Sequence, residues 1–228
     1  MPEMSRRELL RFMLAFGVSA VTAVTLSKLI ACSNGESPKP TSPPTATRTT
    51  PTGVHIAVAR GTSPTAMVEA ALKALGGIEY FVKPGNDVII KPNMAFGQYS
   101  YEYAATTNPE VLAALVKLCL GAGAKRVRIM DNHTMGSPEK IWAVSGIGEA
   151  VKAAGGQMEA MKAFKFKKTA IPLGRDITEW PVYSDVLDAD VLINVPIAKD
   201  HNLSRLTLGM KNLMGVIDNR QEFHFNLG

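Results

Sequence analysis

Cysteine is scarce in this sequence, since the 228 residues include only two, Cys32 and Cys119. Two cysteines are too few for a disulfide framework, a zinc ribbon or a ferredoxin-type cluster, so no iron–sulfur cofactor is expected. Long hydrophobic runs are also rare. Only residues 12–31 are apolar over a length that would cross a membrane, which excludes a polytopic transporter.

An excess of one charge is missing as well, because 25 basic and 20 acidic side chains leave a net charge of only +5. The basic residues are scattered and form no dense face, which argues against a nucleic-acid partner. The sequence also lacks a phosphate-binding loop, a nucleophile elbow, a Cys-x-x-Cys pair and the His-Glu-x-x-His pattern of zinc proteases. With 46% hydrophobic and 20% charged residues, the chain nevertheless has the composition of a globular protein.

The N-terminus has the features of an export signal. Residues 5–11, with the pair Arg6 and Arg7, resemble the twin-arginine consensus, and residues 29–32 resemble a bacterial lipobox that ends at Cys32. We therefore interpret residues 1–31 as a cleaved twin-arginine lipoprotein signal peptide, with Arg6 and Arg7 as the export signal and Cys32 as the lipidation site. The alternative is an uncleaved transmembrane anchor, because the apolar run is long enough to span a bilayer.

This interpretation predicts both location and partners. The chain would engage the twin-arginine translocase and the lipoprotein-processing machinery, and a lipid anchor would hold it on the outer face of the bacterial cytoplasmic membrane or in the periplasm. Residues 32–53 are rich in Pro, Thr and Ser and show no apolar periodicity. Such a segment is predicted to be a disordered linker, which leaves residues 54–228 as the folded domain.

β-type and helical patterns alternate along residues 54–228. Strands are predicted at 54–59, 87–91, 126–130 and 190–195; helices at 62–77, from 109 to about 121 and from about 138 to 154; one or two further strands within 157–183; and helical spacing over 206–217. This alternation predicts an α/β fold with a mainly parallel sheet and helices on both faces. The chain stops at residue 228 without a helix end or a polar tail, so we expect the domain to be incomplete.

Polar residues collect where the predicted strands end, and parallel strands bring their carboxyl ends to one edge of the sheet, where ligands bind. The predicted catalytic residues are Asp131, His133, Lys199 and His201; the predicted substrate-binding residues are Lys91, Asn93, Asn194, Lys211 and Asn212; and the predicted ligands of a divalent metal are Asp131, His133 and His201. We expect a net positive pocket suited to the carboxylate or phosphate of a small anionic ligand.

Simpler interpretations stand beside these roles. Asp131 is also typical of a turn cap and His133 of a solvated side chain, because two residues do not make a metal site. Lys199 is equally compatible with an exposed solubilising lysine, whereas Lys91 directly follows a buried strand and is less so. Lys211 lies within an apolar segment, and it either extends outward to solvent or points into a cleft.

Several of these segments resemble the DUF362 family of domains of unknown function. The matching segments are 88–93, 105–111, 123–127, 189–196 and 208–215, so the resemblance covers nearly all of residues 54–228. This chain reads Thr-Asn-Pro at 107–109 where relatives usually read Thr-His-Pro, and Lys-Asp-His at 199–201 where they read Lys-Thr-His. Many relatives also carry a cysteine-rich iron–sulfur domain, which is not found in this chain.

The resemblance implies an α/β fold but no settled activity. Two functions from different classes therefore remain. The first is an exported enzyme that acts on a small anionic substrate with metal or redox assistance. The second is a tethered lipoprotein that binds a ligand without catalysing a reaction.

Overall fold

The computed structural model describes residues 53–134, 136–201 and 204–226. The predicted signal peptide, Arg6, Arg7, Cys32 and the linker lie outside these residues, so the interpretations made for them stay predictions. Within the described part, none of the helices combines the length and the apolar character needed to cross a bilayer.

The described part alternates helices and strands. In chain order they are α1 (Pro64–Ala74), α2 (Ile78–Phe81), β1 (Asp87–Pro92), α3 (Pro109–Gly121), β2 (Arg126–Ile129), α4 (Pro138–Val144), α5 (Ile147–Ala153), β3 (Gln157–Met158), β4 (Phe166–Ala170), β5 (Glu179–Tyr183), α6 (Ser184–Asp188), β6 (Val191–Val195), β7 (Lys199–His201), β8 (Arg205–Thr207), α7 (Gly209–Asn212) and α8 (Arg220–Asn226).

A four-stranded parallel sheet with the order β3-β2-β1-β6 forms the centre. The predicted α/β fold is therefore confirmed. Side chains on one face of the sheet, such as Val88 and Ile90, pack against α3, α4 and α5 in the larger core. The other face, which includes Ile89, is covered by the antiparallel pair β4–β5 and by the short helix α6.

Local sequence explains where several helices begin. Ser63, Asn108 and Ser137 each accept a hydrogen bond from a backbone N–H of the first turn, and each is followed by proline at the first helical position. Both features favour helix initiation, because they satisfy or remove N–H groups that have no partner within the helix. Helices α1 and α3 therefore match the predicted segments closely.

The segment 54–59 is not a strand, contrary to the alternation of its side chains. Ile56 and Val58 are 82% and 92% exposed, and the segment pairs with no strand of the described residues. A β pattern describes side chains that fit a pleated surface, and it yields a strand only where a neighbouring strand supplies hydrogen bonds.

Two predicted helices also differ from the structure. The helix expected over 138–154 is divided into α4 and α5, because Gly146 adopts a left-handed conformation with φ 72°. The helical spacing expected over 206–217 gives three short elements instead: β8, which pairs with β7, then the single turn α7 and a 3-10 turn at Leu213–Val216. The periodicity of Leu206 and Met210 is misleading, since both side chains are exposed.

Candidate functional site

A cleft of about 200 Å³ lies at the carboxyl ends of the central strands. From β1, the strands β2 and β3 are added on one side of the sheet, whereas β6 is added on the other side of β1. The chain connections therefore lead in opposite directions from the gap between β1 and β6. Open α/β sheets bind ligands in the crevice that such a reversal leaves. The ends of these two strands are in register there, and the penultimate residues Lys91 and Asn194 lie side by side.

An ion pair between Lys91 and Asp131 forms the floor of the cleft. The Lys91 Nζ lies 2.8 Å from Asp131 Oδ1, and the two side chains are only 1% and 2% exposed. The ammonium group also donates to the carbonyl of Pro92 and, at 3.1 Å, to Asn212 Oδ1. An ammonium group has three N–H donors, and two of those of Lys91 are thus engaged in hydrogen bonds besides the ion pair.

The remaining oxygen of Asp131 is engaged as well, since Oδ2 accepts a hydrogen bond of 2.8 Å from the backbone N–H of Met94. Burial lowers the pKa of Lys91, while the nearby Asp131 carboxylate opposes that shift. The floor therefore holds one positive and one negative charge and contributes no net charge to the cleft.

Gly215 lies directly against this ion pair. A Cβ placed on Gly215 would be 1.8 Å from Asp131 Oδ1 and 2.6 Å from Lys91 Nζ, far closer than atoms can approach. Only glycine therefore allows the backbone of the 3-10 turn to lie on the floor of the cleft.

The side chain of Asn212 ties the short helix α7 to both strands. Its Nδ2 donates to the backbone carbonyl of Lys91 at 3.2 Å and to Asn194 Oδ1 at 2.8 Å. Its Oδ1 accepts from Lys91 and from Asn93 Nδ2, the latter at 3.2 Å. Asn194 in turn donates to the carbonyl of Gly209 at 2.8 Å. This network fixes the position of α7 although the helix has only four residues.

Three cationic side chains from three different elements line the walls, Lys199 on β7, Lys211 on α7 and Arg220 on α8. Lys199 Nζ donates to the carbonyl of Ala105 at 2.6 Å. Arg220 donates to the carbonyls of Asn132 and His133, each at 2.9 Å. These hydrogen bonds orient the cations but do not neutralise them, and no carboxylate of the described residues forms an ion pair with any of the three.

The pKa values of these groups reflect the crowding of positive charge. Burial is the main reason that the pKa of Lys211 is lowered, and Arg220 and Lys199 lower it further. Burial also lowers the pKa values of Lys199 and Arg220, and Asp131 opposes both shifts. Desolvated cations without a counter-charge are destabilised, and a bound anion would relieve them.

Two histidines stack at the same cleft. The rings of His201 and His224 lie 6.1 Å apart at 28°, and both residues line the cleft. Burial lowers the pKa values of both imidazoles, and Lys211 is the largest electrostatic contribution to each shift. An anion bound beside Lys211 would therefore favour the protonated form of either ring.

The structure brings most of the predicted site residues together. The predicted residues that line the cleft are Lys91, Asn93, Asp131, Lys199, His201, Lys211 and Asn212. Asn194 and His133 are not among the lining residues. Asn194 instead joins β6 to α7, and His133 Nδ1 lies 3.2 Å from the carbonyl of Met94. Burial lowers the pKa of His133, which favours the neutral ring.

The predicted metal ligands Asp131, His133 and His201 do not assemble into a metal site. Among the residues that the structure describes, no three His, Cys, Asp or Glu side chains are grouped so that they would hold an ion. The physical reason is that both oxygens of Asp131 face cationic or N–H donors, which occupy the positions a metal would need. The donor set therefore does not fit a cation, and no chemistry is assigned to one.

Arg220, Thr207 and His224 line the cleft but were not predicted from the sequence. Neither Arg220 nor His224 follows a strand of the parallel sheet, so the strand-end rule does not reach them. Their spacing does carry a signal, because residues four apart lie on the same face of a helix such as α8.

Comparison with known proteins adds a family and one relative. The sequence profile of a domain of unknown function, DUF362, matches residues 88–228. This match begins in β1, at the same residue as the first of the segments that resemble the family, and it confirms the resemblance. A thylakoid-associated protein of Synechocystis sp. is 30% identical over 171 residues, which are 72% of this chain and 50% of the relative. The chain thus spans about half the length of that curated relative, and no solved structure matches it.

Proposed function

The chain belongs to the DUF362 family, which is defined by a domain of unknown function, and we propose that in this member the cleft binds a small anionic molecule. The observation that carries the proposal is the imbalance of charge in the cleft. Asp131 is the one carboxylate among the described lining residues, and Lys91 neutralises it, whereas Lys199, Lys211 and Arg220 form no ion pair with a carboxylate of the described residues.

Positive charge of this kind favours an anion for two reasons. Groups of one sign within a concave, partly dry surface reinforce each other's field and raise the local concentration of the opposite ion. Burial lowers the pKa values of Lys199 and Lys211, and a bound anion would oppose that shift by favouring the charged form of each lysine.

The size of the cleft limits the ligand. Its volume of about 200 Å³ is smaller than the pockets that enclose drug-sized molecules, which start at roughly 300 Å³. The cleft therefore suits a phosphate or a small carboxylate rather than a nucleotide or a peptide.

Binding is better supported than catalysis. Of the predicted catalytic residues, Asp131 is held by Lys91 and by the N–H of Met94, and His133 faces a backbone carbonyl. Neither side chain forms a hydrogen bond with a Ser, Thr, Cys or Tyr side chain of the described residues, as a general base that activates a nucleophile of the protein would. Lys199 and His201, the other two predicted catalytic residues, line the cleft, and burial lowers the pKa of each. An enzymatic function would therefore be sought at these two residues first.

The proposal extends to the location of the protein. Residues 1–31 would direct export through the twin-arginine translocase, and Cys32 would carry the lipid that anchors the 32–53 linker and the domain from residue 54 to the membrane. The Synechocystis relative is named a thylakoid-associated protein, which supports association with a membrane. A tethered anion-binding domain outside the cytoplasmic membrane is the function that combines these features.

Titration of the purified chain with inorganic phosphate at low ionic strength tests the binding function. We expect a measurable Kd that weakens with added salt, and replacement of the wall cation in Lys211→Met should weaken binding by roughly tenfold or more. Lys117→Met is the matched control, because Lys117 is exposed on α3 and does not line the cleft. Absence of binding by the wild type, or an equal loss in the control, would contradict the proposal.

The anchor is tested separately by fractionating cells that express Cys32→Ala. We expect the variant to leave the membrane fraction, because a thioether-linked lipid needs the thiol. Unchanged membrane attachment would favour the uncleaved anchor over residues 12–31. Turnover of a phosphate ester by the wild type, lost in Lys199→Met, would favour the enzymatic function over simple binding.

A further inference from the structure

The orientation of the side-chain amides beneath the cleft follows from the hydrogen-bonding capacity of their neighbours. The Lys91 ammonium is a donor only, so the atom of Asn212 at 3.1 Å from it must be the amide oxygen. The Lys91 carbonyl is an acceptor only, so the atom of Asn212 facing it at 3.2 Å must be the nitrogen. Two independent contacts therefore fix the same orientation of Asn212.

This orientation determines that of Asn93. The atom of Asn93 that lies 3.2 Å from Asn212 Oδ1 must be its amide nitrogen, because two oxygens would repel. The carbonyl oxygen of Asn93 is then the atom left over. It is buried and has no hydrogen-bond partner among the described residues, and Asn93, which is 8% exposed, lines the cleft.

Thr207 presents a second polar atom of the same kind. Its side-chain hydroxyl is buried and without a partner among the described residues, and the residue is 3% exposed and lines the cleft. A hydroxyl both donates and accepts, whereas the Asn93 oxygen only accepts. The cleft therefore combines three cations that form no ion pair within the described part of the chain, Lys199, Lys211 and Arg220, with a buried acceptor that lacks a donor there.

We propose that the anion bound in this cleft carries its own hydrogen-bond donor beside its negative charge, and that it is a phosphate-type anion with a P–OH group. The inference rests on the proposed anion-binding function and deepens it. The cations receive the charged oxygens, and the P–OH donates to the carbonyl oxygen of Asn93. Three wall cations favour an anion with more than one negative charge, which disfavours a monocarboxylate.

Sulfate has the same tetrahedral shape and lacks the proton. It would satisfy the cations but leave the Asn93 oxygen as a buried acceptor without a donor. An unsatisfied buried acceptor is costly, and a site built to hydrogen-bond a ligand's O–H rejects an analogue that lacks it. The structure therefore predicts discrimination between two anions that charge and size alone do not distinguish.

The test is calorimetric titration of the wild-type chain with phosphate and with sulfate, at matched ionic strength and near neutral pH. We expect phosphate to bind roughly tenfold more tightly than sulfate or better. Equal affinity for the two anions would overturn this inference and leave the proposed function intact. Failure of the protein to bind either anion would overturn both.

Variants separate two contributions to anion affinity, the hydrogen bond donated by the ligand's P–OH and the attraction by the wall cations. Lys211→Met should lower the affinities for phosphate and for sulfate by the same factor, so the ratio of the two affinities should not change. Asn93→Leu should bring the ratio toward one by weakening the binding of phosphate selectively, because it removes the acceptor of the P–OH. Thr207→Val should leave the ratio unchanged, because a hydroxyl can donate to either anion. A phosphate preference that persists undiminished in Asn93→Leu would overturn the assignment to Asn93. If Asn93→Leu does not fold, the wild-type ratio decides the question.

Discussion

Lys91 and Asp131 form a buried ion pair, 2.8 Å from Nζ to Oδ1, on which the backbone of Gly215 rests. The pair joins the end of β1 to the residues that follow β2, and it neutralises the one carboxylate of the described cleft lining. The electrostatic character of the cleft is consequently left to the cations on its walls.

The first prediction concerns the close approach of Gly215. Gly215→Ala should destabilise the protein by about 3 kcal/mol, because a methyl group there must displace Asp131 or Lys91 from the buried pair. Denaturant unfolding measures this change, and anion affinity should fall with it.

Gly209→Ala is the matched control for that variant. Gly209 begins α7, and a Cβ there would lie 3.7 Å from Asn194 Nδ2, which is an ordinary contact. The free energy of unfolding of the Gly209→Ala variant should differ from that of the wild type by less than about 1 kcal/mol. Similar losses in the two variants would show that the contact with the ion pair is not what matters at Gly215.

The second prediction concerns Arg128, whose guanidinium is 6% exposed and contacts three carboxylates. Arg128→Met should lower the free energy of unfolding by about 3 kcal/mol, because Asp87, Glu159 and Asp185 lose their shared cation. The neighbouring Arg126 also pairs with Asp87 but is 47% exposed. Arg126→Met should therefore change stability by less than about 1 kcal/mol, and an equal effect of both variants would contradict the argument.

Sequence patterns predicted the strands and helices whose formation depends on neighbouring residues in the chain. Strands β1 and β6 carry apolar runs and β2 alternates basic with apolar residues, and all three were predicted as strands of the central sheet. The strand-end rule located Lys91, Asp131 and Lys199 on one cleft. Patterns that depend on a partner misled the prediction. Residues 54–59 alternate like a strand, yet among the described residues no neighbouring strand pairs with them.

The remaining cleft residues depend on tertiary placement. Arg220 reaches the cleft because its guanidinium binds the carbonyls of Asn132 and His133, far away in sequence. Asn194 has the residue type of a ligand-binding group, but its amide is used to hold α7. Nothing in a residue's identity distinguishes an amide that binds a ligand from one that binds the backbone.

The third prediction is a pH dependence of anion affinity. In the free protein, burial and Lys211 lower the pKa values of His201 and His224, with Asp200 opposing the shift at His201. A bound anion raises both pKa values, so binding takes up protons and affinity rises as the pH falls. The gain is complete below the pKa values of the free protein, and it is lost as the pH rises through those of the complex.

Phosphate titrations between about pH 5 and pH 8 check this dependence. The ratio of wild-type affinity to that of the double variant His201→Gln, His224→Gln should increase toward the acidic end. Taking the ratio cancels the ionisation of phosphate itself, which both proteins experience equally. A ratio that stays constant across the range would exclude the two histidines as the source.

The fourth prediction concerns export. Replacing both Arg6 and Arg7 by lysine should abolish transport, because the translocase reads paired guanidinium groups and lysine lacks their planar geometry. Protease accessibility of the chain on intact spheroplasts measures it. Normal export of the double variant through the general secretion route would contradict the twin-arginine interpretation.

The wall cations Lys199, Lys211 and Arg220 all follow β6 in the chain, whereas the floor of the cleft belongs to β1 and to the residues after β2. An anion bound between them would bridge the late part of the chain to the sheet. Opening of β7, β8 and α8 would then require the ligand to leave, and their amide hydrogens would exchange more slowly as the anion concentration rises. Strands β1 and β2, already largely buried, would keep their exchange rates, so the ligand would act on the local stability of one segment.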